Sequence, residues 1–168
     1  MKVLLLVDTP NLYHTVMDDG GPTARPDYAG IYEMACGFGN VRAMAFVNQG
    51  VNNGFVKRLE ANGFEVVRPI ADDVDHALIA TAVKFSRTVD WVILCSGDGD
   101  YAALVHLLQT AGVKVAVMAV RQYCSRNLRC AADKFIEAPV FHAAKPVRIG
   151  GDVLVRGAWR SADPLWAH

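Results

Sequence analysis

Short apolar runs alternate along this chain with longer segments in which apolar residues recur at helical spacing. The apolar runs predict strands at residues 2–8, 41–47, 64–67, 91–95 and 113–118. Helical spacing predicts helices at residues 12–17, 27–36, 51–62, 74–86, 102–108 and 125–132. Strands that alternate with helices in this way are typical of an α/β fold. We therefore expect a mainly parallel sheet with helices on both faces.

The last part of the chain follows a different pattern. Residues 147–156 alternate around a glycine pair, which predicts a β-hairpin. We therefore divide the chain into a main domain at 1–139 and a C-terminal extension at 140–168 that holds this hairpin and a tail. Basic and indole side chains of the extension can contact phosphates and stack on bases: Lys145, Arg148, Arg156, Trp159, Arg160 and Trp166. Alternatively, the extension covers a sheet edge, pairs with a second copy of the chain as a homodimer, or forms a partly ordered tail.

The composition of the chain favours one globular core and excludes a membrane protein. Its 17 lysines and arginines balance its 17 aspartates and glutamates, so affinity for nucleic acid must come from local patches or from a bound metal. Asp8 ends the first apolar run too early for a signal peptide, and no run reaches the roughly 18 to 20 apolar residues of a membrane-spanning helix. The four cysteines show no C-x-x-C spacing, which favours reduced thiols and a cytoplasmic location.

The stretch at 96–101, called here the aspartate turn, joins a predicted buried strand to a predicted helix. Gly97 and Gly99 allow the backbone to bend sharply there, and Ser96 or Asp98 can cap the helix. Asp98 and Asp100 bracket a glycine, where their like charges repel at short range. Such a pair makes a weak helix cap and a better site for a hard cation.

Two further acids are predicted to reach the same edge of the sheet. Asp8 ends the first predicted strand, and Asp75 lies in the first turn of the predicted helix at 74–86. Asp75 shares a face with apolar residues that we expect to pack on the sheet, namely Leu78, Ile79, Ala82 and Val83. In a β-α-β crossover the helix begins at the carboxyl edge of the sheet, so these acids and the aspartate turn should meet there. Asp72 and Asp73 are expected to cap this helix or to face solvent.

Four carboxylates that converge repel one another unless a cation lies among them. Mg²⁺ and Mn²⁺ prefer oxygen ligands and accept a half-open ring of carboxylates, which leaves room for the phosphate oxygens of a substrate. One or two such ions can activate a water and stabilise the leaving oxygen in phosphodiester hydrolysis. No serine-histidine-acid or cysteine-histidine arrangement is evident. His76 is expected to face solvent, with contact to a phosphate as the alternative.

Four motifs occur in order along the chain: Val7-Asp8-x-x-Asn11-Leu12, Val74-Asp75, Ser96-Gly97-Asp98-Gly99-Asp100-Tyr101 and Ala132-Asp133-x-Phe135. Together they resemble the NYN domain, the LabA-like branch of the PIN-like nuclease superfamily, over roughly residues 2–138. The resemblance implies a PIN-like, Rossmann-like fold and an endoribonuclease site that acts on RNA with Mg²⁺ or Mn²⁺. It implies that the catalytic and metal-binding carboxylates are Asp8, Asp75, Asp98 and Asp100, and that Asn11 and Ser96 bind substrate. As an alternative, Asn11 caps a helix.

The central helix departs from the family pattern. Family members commonly carry a lysine shortly before the position of Asp75 and a second acid about two turns later. In this chain the earlier position is acidic, at Asp72 or Asp73, and the later one is Thr81. The alternative function is therefore a catalytically weak or inactive RNA-binding or regulatory protein of the same type. A nucleotide-binding regulator is the third class, but no G-x-G-x-x-G follows the first strand and no P-loop is present.

Overall fold

The computed structural model describes residues 1–143 and the backbone of residues 147–149 and 152–154. Its strands, in chain order, are β1 (Lys2–Asp8), β2 (Ala24–Pro26), β3 (Asn40–Phe46), β4 (Phe64–Val67), β5 (Trp91–Cys95), β6 (Lys114–Ala119), β7 (Lys134–Glu137), β8 (Val140–His142), β9 (Val147–Ile149) and β10 (Asp152–Leu154). Six of them form one sheet in the order β4-β3-β1-β5-β6-β7, in which every neighbouring pair is parallel. The predicted mainly parallel α/β fold is confirmed.

Helices cover both faces of this sheet. Their bounds are α1 (Thr9–Gly20), α2 (Tyr28–Cys36), α3 (Asn53–Ala61), α4 (Val74–Phe85), α5 (Ala102–Thr110) and α6 (Arg126–Ala131), with 3-10 turns at Gly99–Tyr101 and Arg121–Tyr123. Residues of α1, α2 and α3 belong to the apolar cluster on one face, and residues of α4, α5 and α6 belong to the cluster on the other. Alternate residues of β1 serve the two clusters, with Leu5 in the first and Leu4 and Leu6 in the second.

The order of the strands explains where a site can form. From β1 the chain moves outward to β3 and β4, and α4 then carries it back across the sheet to β5, on the other side of β1. The direction of strand addition therefore changes between β1 and β5. In open parallel sheets, ligands bind in the crevice that such a change leaves at the carboxyl ends of the strands. The end of β1 and the start of the aspartate turn lie at this crevice.

Three strands of the structure were not predicted from the sequence. β7 is short and mixes charged with apolar residues, so it shows no apolar run, and β2 contains Arg25 and Pro26. β8 pairs with β2 in an antiparallel ladder and lies just beyond the predicted domain boundary at residue 139. That boundary stays a prediction. The first helix begins at Thr9, earlier than predicted, because a proline is tolerated in the first turn of a helix.

The predicted C-terminal hairpin is present in the backbone, where β9 pairs with β10 in an antiparallel register. The basic and indole side chains that we considered for contact with nucleic acid lie outside the described residues, namely Lys145, Arg148, Arg156, Trp159, Arg160 and Trp166. Across the part of the chain that the structure describes, no helix is both long and apolar enough to cross a lipid bilayer.

Candidate functional site

Three carboxylates meet at the crevice beside β1 and β5. Asp75, Asp98 and Asp100 each place one carboxylate oxygen within 4.8 Å of the other two. Asp75 comes from the first turn of α4, and the other two come from the aspartate turn after β5. None of the three is fully buried. The structure therefore brings together three of the four predicted acids as a cluster that solvent can reach.

The start of α4 aims Asp75 into this cluster. Asp73 caps the helix, as predicted, because its carboxylate accepts a hydrogen bond of 2.9 Å from the amide of His76. The buried stripe of the helix consists of Val74, Leu78 and Ala82. The prediction that Val83 belongs to this stripe is wrong, since its side chain is 44% exposed. Helical geometry places Val83 about 140° around the axis from the buried Leu78 and so on the solvent side.

Hydrogen bonds and close packing fix the aspartate turn. Asp98 caps the 3-10 turn by accepting from the amide of Asp100 at 2.9 Å, and the hydroxyl of Ser96 accepts from the amide of Asp98 at 3.2 Å. Neither glycine of the turn has a positive φ. A β-carbon on Gly97 would lie 2.8 Å from a backbone oxygen, and one on Gly99 would lie 2.7 Å from a serine hydroxyl. The glycines are therefore required for close approach of the segment after β6.

Asp8 is linked to Asp75 of the cluster through the hydroxyl of Tyr101 and is only 3% exposed. Its Oδ2 accepts hydrogen bonds from the hydroxyls of Ser96 at 3.2 Å and Tyr101 at 3.1 Å, and its Oδ1 accepts from the amide of Asn11 at 3.3 Å. Burial raises the pKa of Asp8 to about 6, and the charge of Asp75 raises it as well, whereas the three hydrogen bonds lower it. Asp8 is thus the enclosed acid of the site, held by protein groups on both oxygens.

Tyr101 is the residue of the site that the sequence did not indicate. Its side chain is fully buried, and its hydroxyl lies within hydrogen-bonding distance of both Asp8 and Asp75. Burial raises the pKa of this hydroxyl, and the two nearby carboxylates raise it further, so it stays protonated. In the sequence it is only the last residue of the aspartate turn. A buried tyrosine hydroxyl needs a polar partner, and that requirement was the available signal.

The two predicted substrate-binding residues have structural contacts. The side-chain oxygen of Asn11 accepts a hydrogen bond of 3.0 Å from the amide of Gly97, which ties α1 to the aspartate turn. Asn11 does not cap α1, because Asp8 occupies the N-cap position. Ser96 is fully buried, and its hydroxyl donates to the carboxylate of Asp8 and accepts from the amide of Asp98. Contact of Asn11 and Ser96 with substrate stays a prediction.

The cleft beside the acids has a volume of about 400 Å³. Its acidic lining residues are Asp8, Asp72, Asp73, Asp75 and Asp98, and Asn11 lines it as well. Asp72 has a φ of 54°, a conformation that is uncommon outside glycine, and its carboxylate accepts a hydrogen bond from the amide of Gln49. His76 is exposed, as predicted.

A second cavity of about 340 Å³ lies on the other side of the sheet, between α2 and α3. Its walls are mostly aromatic and aliphatic, and the acid in its lining, Asp27, caps α2 by accepting from the amide of Gly30. This cavity is more enclosed than the acidic cleft, but it offers no group of converging oxygen ligands. The chemistry therefore favours the acidic cleft as the functional site.

The donor set of the cluster suits a hard divalent cation. All three groups are carboxylates, and oxygen ligands are those that Mg²⁺, Mn²⁺ and Ca²⁺ prefer. Within residues 1–143 the ion pairs are Arg42–Glu65 and Arg121–Glu137, so neither neutralises an acid of the site. Thr81, where a second acid was considered, donates its hydroxyl to the carbonyl of Ala77 at 2.8 Å and adds no carboxylate.

Comparison with known proteins supports the fold described above. The model of the NYN domain family matches residues 2–141, which is most of the chain. The chain belongs to the NYN domain family. This NYN chain therefore has the PIN-like α/β fold of a nuclease superfamily, and it carries a cluster of aspartates that could hold a divalent metal.

Two relatives extend the comparison. A crystal structure of a protein of unknown function from Vibrio parahaemolyticus is similar with a TM-score of 0.75 and 29% sequence identity, over 81% of this chain and 91% of that one. An uncharacterized protein of Methanocaldococcus jannaschii is 25% identical over 138 residues, which are 81% of this chain and 55% of the relative. The chain thus spans about half the length of this curated relative.

Proposed function

We propose that this NYN chain is a metal-dependent endoribonuclease of the LabA-like branch, which hydrolyses RNA phosphodiester bonds at its aspartate cluster. The observation that carries the proposal is the approach of three carboxylate oxygens to within 4.8 Å of one another. Like charges at this distance raise the energy of the folded chain unless a cation compensates them. The fold supports the same conclusion, because the cluster lies at the crevice between β1 and β5.

Each acid has a distinct place in the proposed site. Asp75, Asp98 and Asp100 would hold Mg²⁺ or Mn²⁺, and Asp8, which shares the Tyr101 hydroxyl with Asp75, is the candidate for a further ligand. When bound, such an ion supplies a water of lowered pKa and a positive charge for the phosphate oxygens. Asn11 keeps the aspartate turn beside α1, and the open side of the acidic cleft leaves room for an RNA strand.

A direct assay tests this proposal. Purified protein is incubated with fluorescently labelled single-stranded and structured RNA, first with Mn²⁺ or Mg²⁺ and then with an excess of chelator. We expect cleavage with the ion, none with chelator, and a loss of about 100-fold or more in Asp98→Asn, because a ligand of the ion is removed.

Asp18→Asn is the matched control. Asp18 is exposed near the end of α1, and the contact found for it uses its backbone carbonyl. The Asp18→Asn variant should therefore cleave RNA at the wild-type rate. Cleavage that persists in chelator, or that Asp98→Asn leaves unchanged, would place the chemistry elsewhere in the chain.

RNA binding without turnover is the second candidate function. Thr81 favours it, because its hydroxyl bonds within α4 and leaves the cluster with no acid from the second turn of that helix. Thr81→Asp separates the two candidates. The new acid should raise cleavage by an active site and should leave a binding-only protein without activity. RNA affinity with no ion-dependent cleavage in either protein would favour the binding function.

The remaining proposals concern the binding partners of the protein and its location in the cell. RNA is the proposed partner, a second copy of the chain is proposed as a homodimer partner, and no membrane partner is proposed. Cys36 and Cys130 are exposed free thiols, which supports a reducing compartment and hence the cytoplasm. Light scattering would test for the dimer.

A further inference from the structure

Tyr101 joins two acids that are far apart in the sequence. Its hydroxyl oxygen lies 3.1 Å from Oδ2 of Asp8 and 2.9 Å from Oδ1 of Asp75. A tyrosine hydroxyl carries one proton, so it donates to one of these carboxylates at a time. The two acids therefore share one donor, which keeps both at hydrogen-bonding distance from the same point.

Asp75 depends on this hydroxyl more than Asp8 does. Asp8 also accepts hydrogen bonds from the hydroxyl of Ser96 and the amide of Asn11. For the Asp75 carboxylate, the Tyr101 hydroxyl is the single donor found within residues 1–143. Rotation of an aspartate about χ2 is otherwise only weakly restricted. The hydrogen bond to Oδ1 therefore sets how Asp75 faces Asp98 and Asp100.

The ring of Tyr101 makes this donor a fixed one. It is fully buried and belongs to the apolar cluster that also contains Leu6, Val74 and Leu104. Tyr101 is also the last residue of the 3-10 turn that carries Asp100. Because closely packed side chains do not shift freely, the hydroxyl stays in place relative to the acids of the turn.

We propose that Tyr101 is a positioning residue whose hydroxyl holds Asp75 where its carboxylate can share a divalent cation with Asp98 and Asp100. This inference rests on the proposed function of the three acids as cation ligands. It gives Tyr101 no contact with substrate. The hydroxyl should therefore affect cation affinity and turnover, and leave RNA affinity unchanged.

The variant Tyr101→Phe tests the inference because it keeps the ring and removes the hydroxyl. The full chain is titrated with Mn²⁺ by calorimetry at about pH 8, where ordinary carboxyl groups are ionised. We expect the Kd for Mn²⁺ to rise by about tenfold or more. We also expect kcat for RNA cleavage to fall by a similar factor, with KM for RNA within about twofold of wild type.

Tyr123→Phe is the matched control. Its hydroxyl donates to the carbonyl of Asp18 at 3.0 Å, so this variant also loses one tyrosine hydrogen bond, but one that involves no acid of the site. It should bind Mn²⁺ as the wild type does. In a double-mutant cycle, Tyr101→Phe should have little further effect on Mn²⁺ affinity once Asp75→Asn is present, because the hydroxyl acts through Asp75.

The outcomes separate this inference from the proposed nuclease function. If Tyr101→Phe binds Mn²⁺ as tightly as the wild type, the positioning role is overturned, even if the protein melts at a lower temperature. If the wild type binds Mn²⁺ in a Tyr101-dependent way but cleaves no RNA, the positioning role stands and the nuclease proposal fails. If the wild type binds no Mn²⁺, both are overturned.

Discussion

Asp8 carries an energetic cost that depends on pH. Its pKa in the folded protein, about 6, lies above the ordinary value of 3.8, so the folded state holds the proton more tightly than the unfolded state. Below the ordinary value both states are protonated and the cost is absent. Above about 6 both states are ionised and the cost is complete. A shift of this size corresponds to about 3 kcal/mol of stability lost as pH rises through that window.

We therefore predict that Asp8→Asn gains stability relative to the wild type as pH rises from about 4 to about 6. Asparagine keeps the shape and an acceptor oxygen but has no charge to bury. Urea denaturation of both proteins in chelator, across this range, measures the difference in the free energy of unfolding. A difference that does not vary with pH would mean that Asp8 titrates normally.

Asp75 differs from the buried Asp8, because it is partly exposed and an ion or a substrate can reach it. We predict that Asp75→Asn keeps the fold and most of the RNA affinity but cleaves RNA about 100-fold or more slowly, since its charge is needed chiefly in the transition state. Circular dichroism, an RNA binding titration and single-turnover cleavage measure the three properties. A variant with wild-type turnover would remove Asp75 from the site.

The aspartate turn is positioned by the segment that follows β6. The amide of Ser125 donates to the carbonyl of Gly97 at 2.9 Å. A β-carbon added to Gly97 would lie 2.8 Å from the carbonyl oxygen of Tyr123 and 3.0 Å from the α-carbon of Cys124. Because these neighbours are backbone atoms, they cannot rotate away from an added side chain. The position of Asp98 therefore depends on the connection between β6 and α6.

We predict that Gly97→Ala lowers the free energy of unfolding by about 1–3 kcal/mol and weakens Mn²⁺ binding, because its β-carbon would lie 2.8 Å from the carbonyl oxygen of Tyr123. Gly37→Ala is the control, since Gly37 has a helical φ of −62° and its nearest contact would be 3.2 Å. Thermal melts and calorimetry compare the two. Equal behaviour would mean that the turn can shift without cost.

The strands that could be predicted from the sequence are mainly those formed by continuous runs of apolar residues. β5 occurs as predicted, because a run of apolar residues between polar turns favours a buried strand. β4 also occurs as predicted, although Phe64 is its one buried residue. β7 was missed because it is an edge strand with charged residues at both ends. Its place in the sheet depends on pairing with β6, and the local sequence of β7 gives no information about that pairing.

The same distinction applies to the candidate site. The acids could be predicted because each follows a strand or begins a helix, and the topology then brings them to one edge. The bridging role of Tyr101 could not, since it depends on the distance between its hydroxyl and two acids from other elements. Helical spacing also could not distinguish Val83 from its buried neighbours, because the sheet covers a narrower stripe of α4 than the apolar residues span.

As a whole, the molecule assembles its site from distant parts of the chain. Asp8 bonds Ser96 across 88 residues and Tyr101 across 93, and α4 supplies Asp75 between them. An unfolded chain cannot hold these acids together. A cation bound by the cluster therefore binds the folded state alone and stabilises it by mass action.

We predict that Mn²⁺ at about 100 times its Kd stabilises the fold by about 2.7 kcal/mol, which is a rise in Tm of roughly 5 to 10 °C for a chain of this size. Differential scanning calorimetry with and without chelator measures the shift. Asp98→Asn should lose most of it, and Asp18→Asn should keep it. An equal shift in Asp98→Asn would show that the ion acts elsewhere.

The hydrogen bond from the Gly97 amide to the side chain of Asn11 spans 86 residues and joins α1 to the turn after β5. Gly97 is buried, so solvent can exchange this proton only when the two segments separate. The hydrogen-exchange rate of this amide therefore reports how often the crevice opens, separately from fraying of the sheet edges. A ligand that bridges the crevice would slow this one proton before it altered the average protection of the strands.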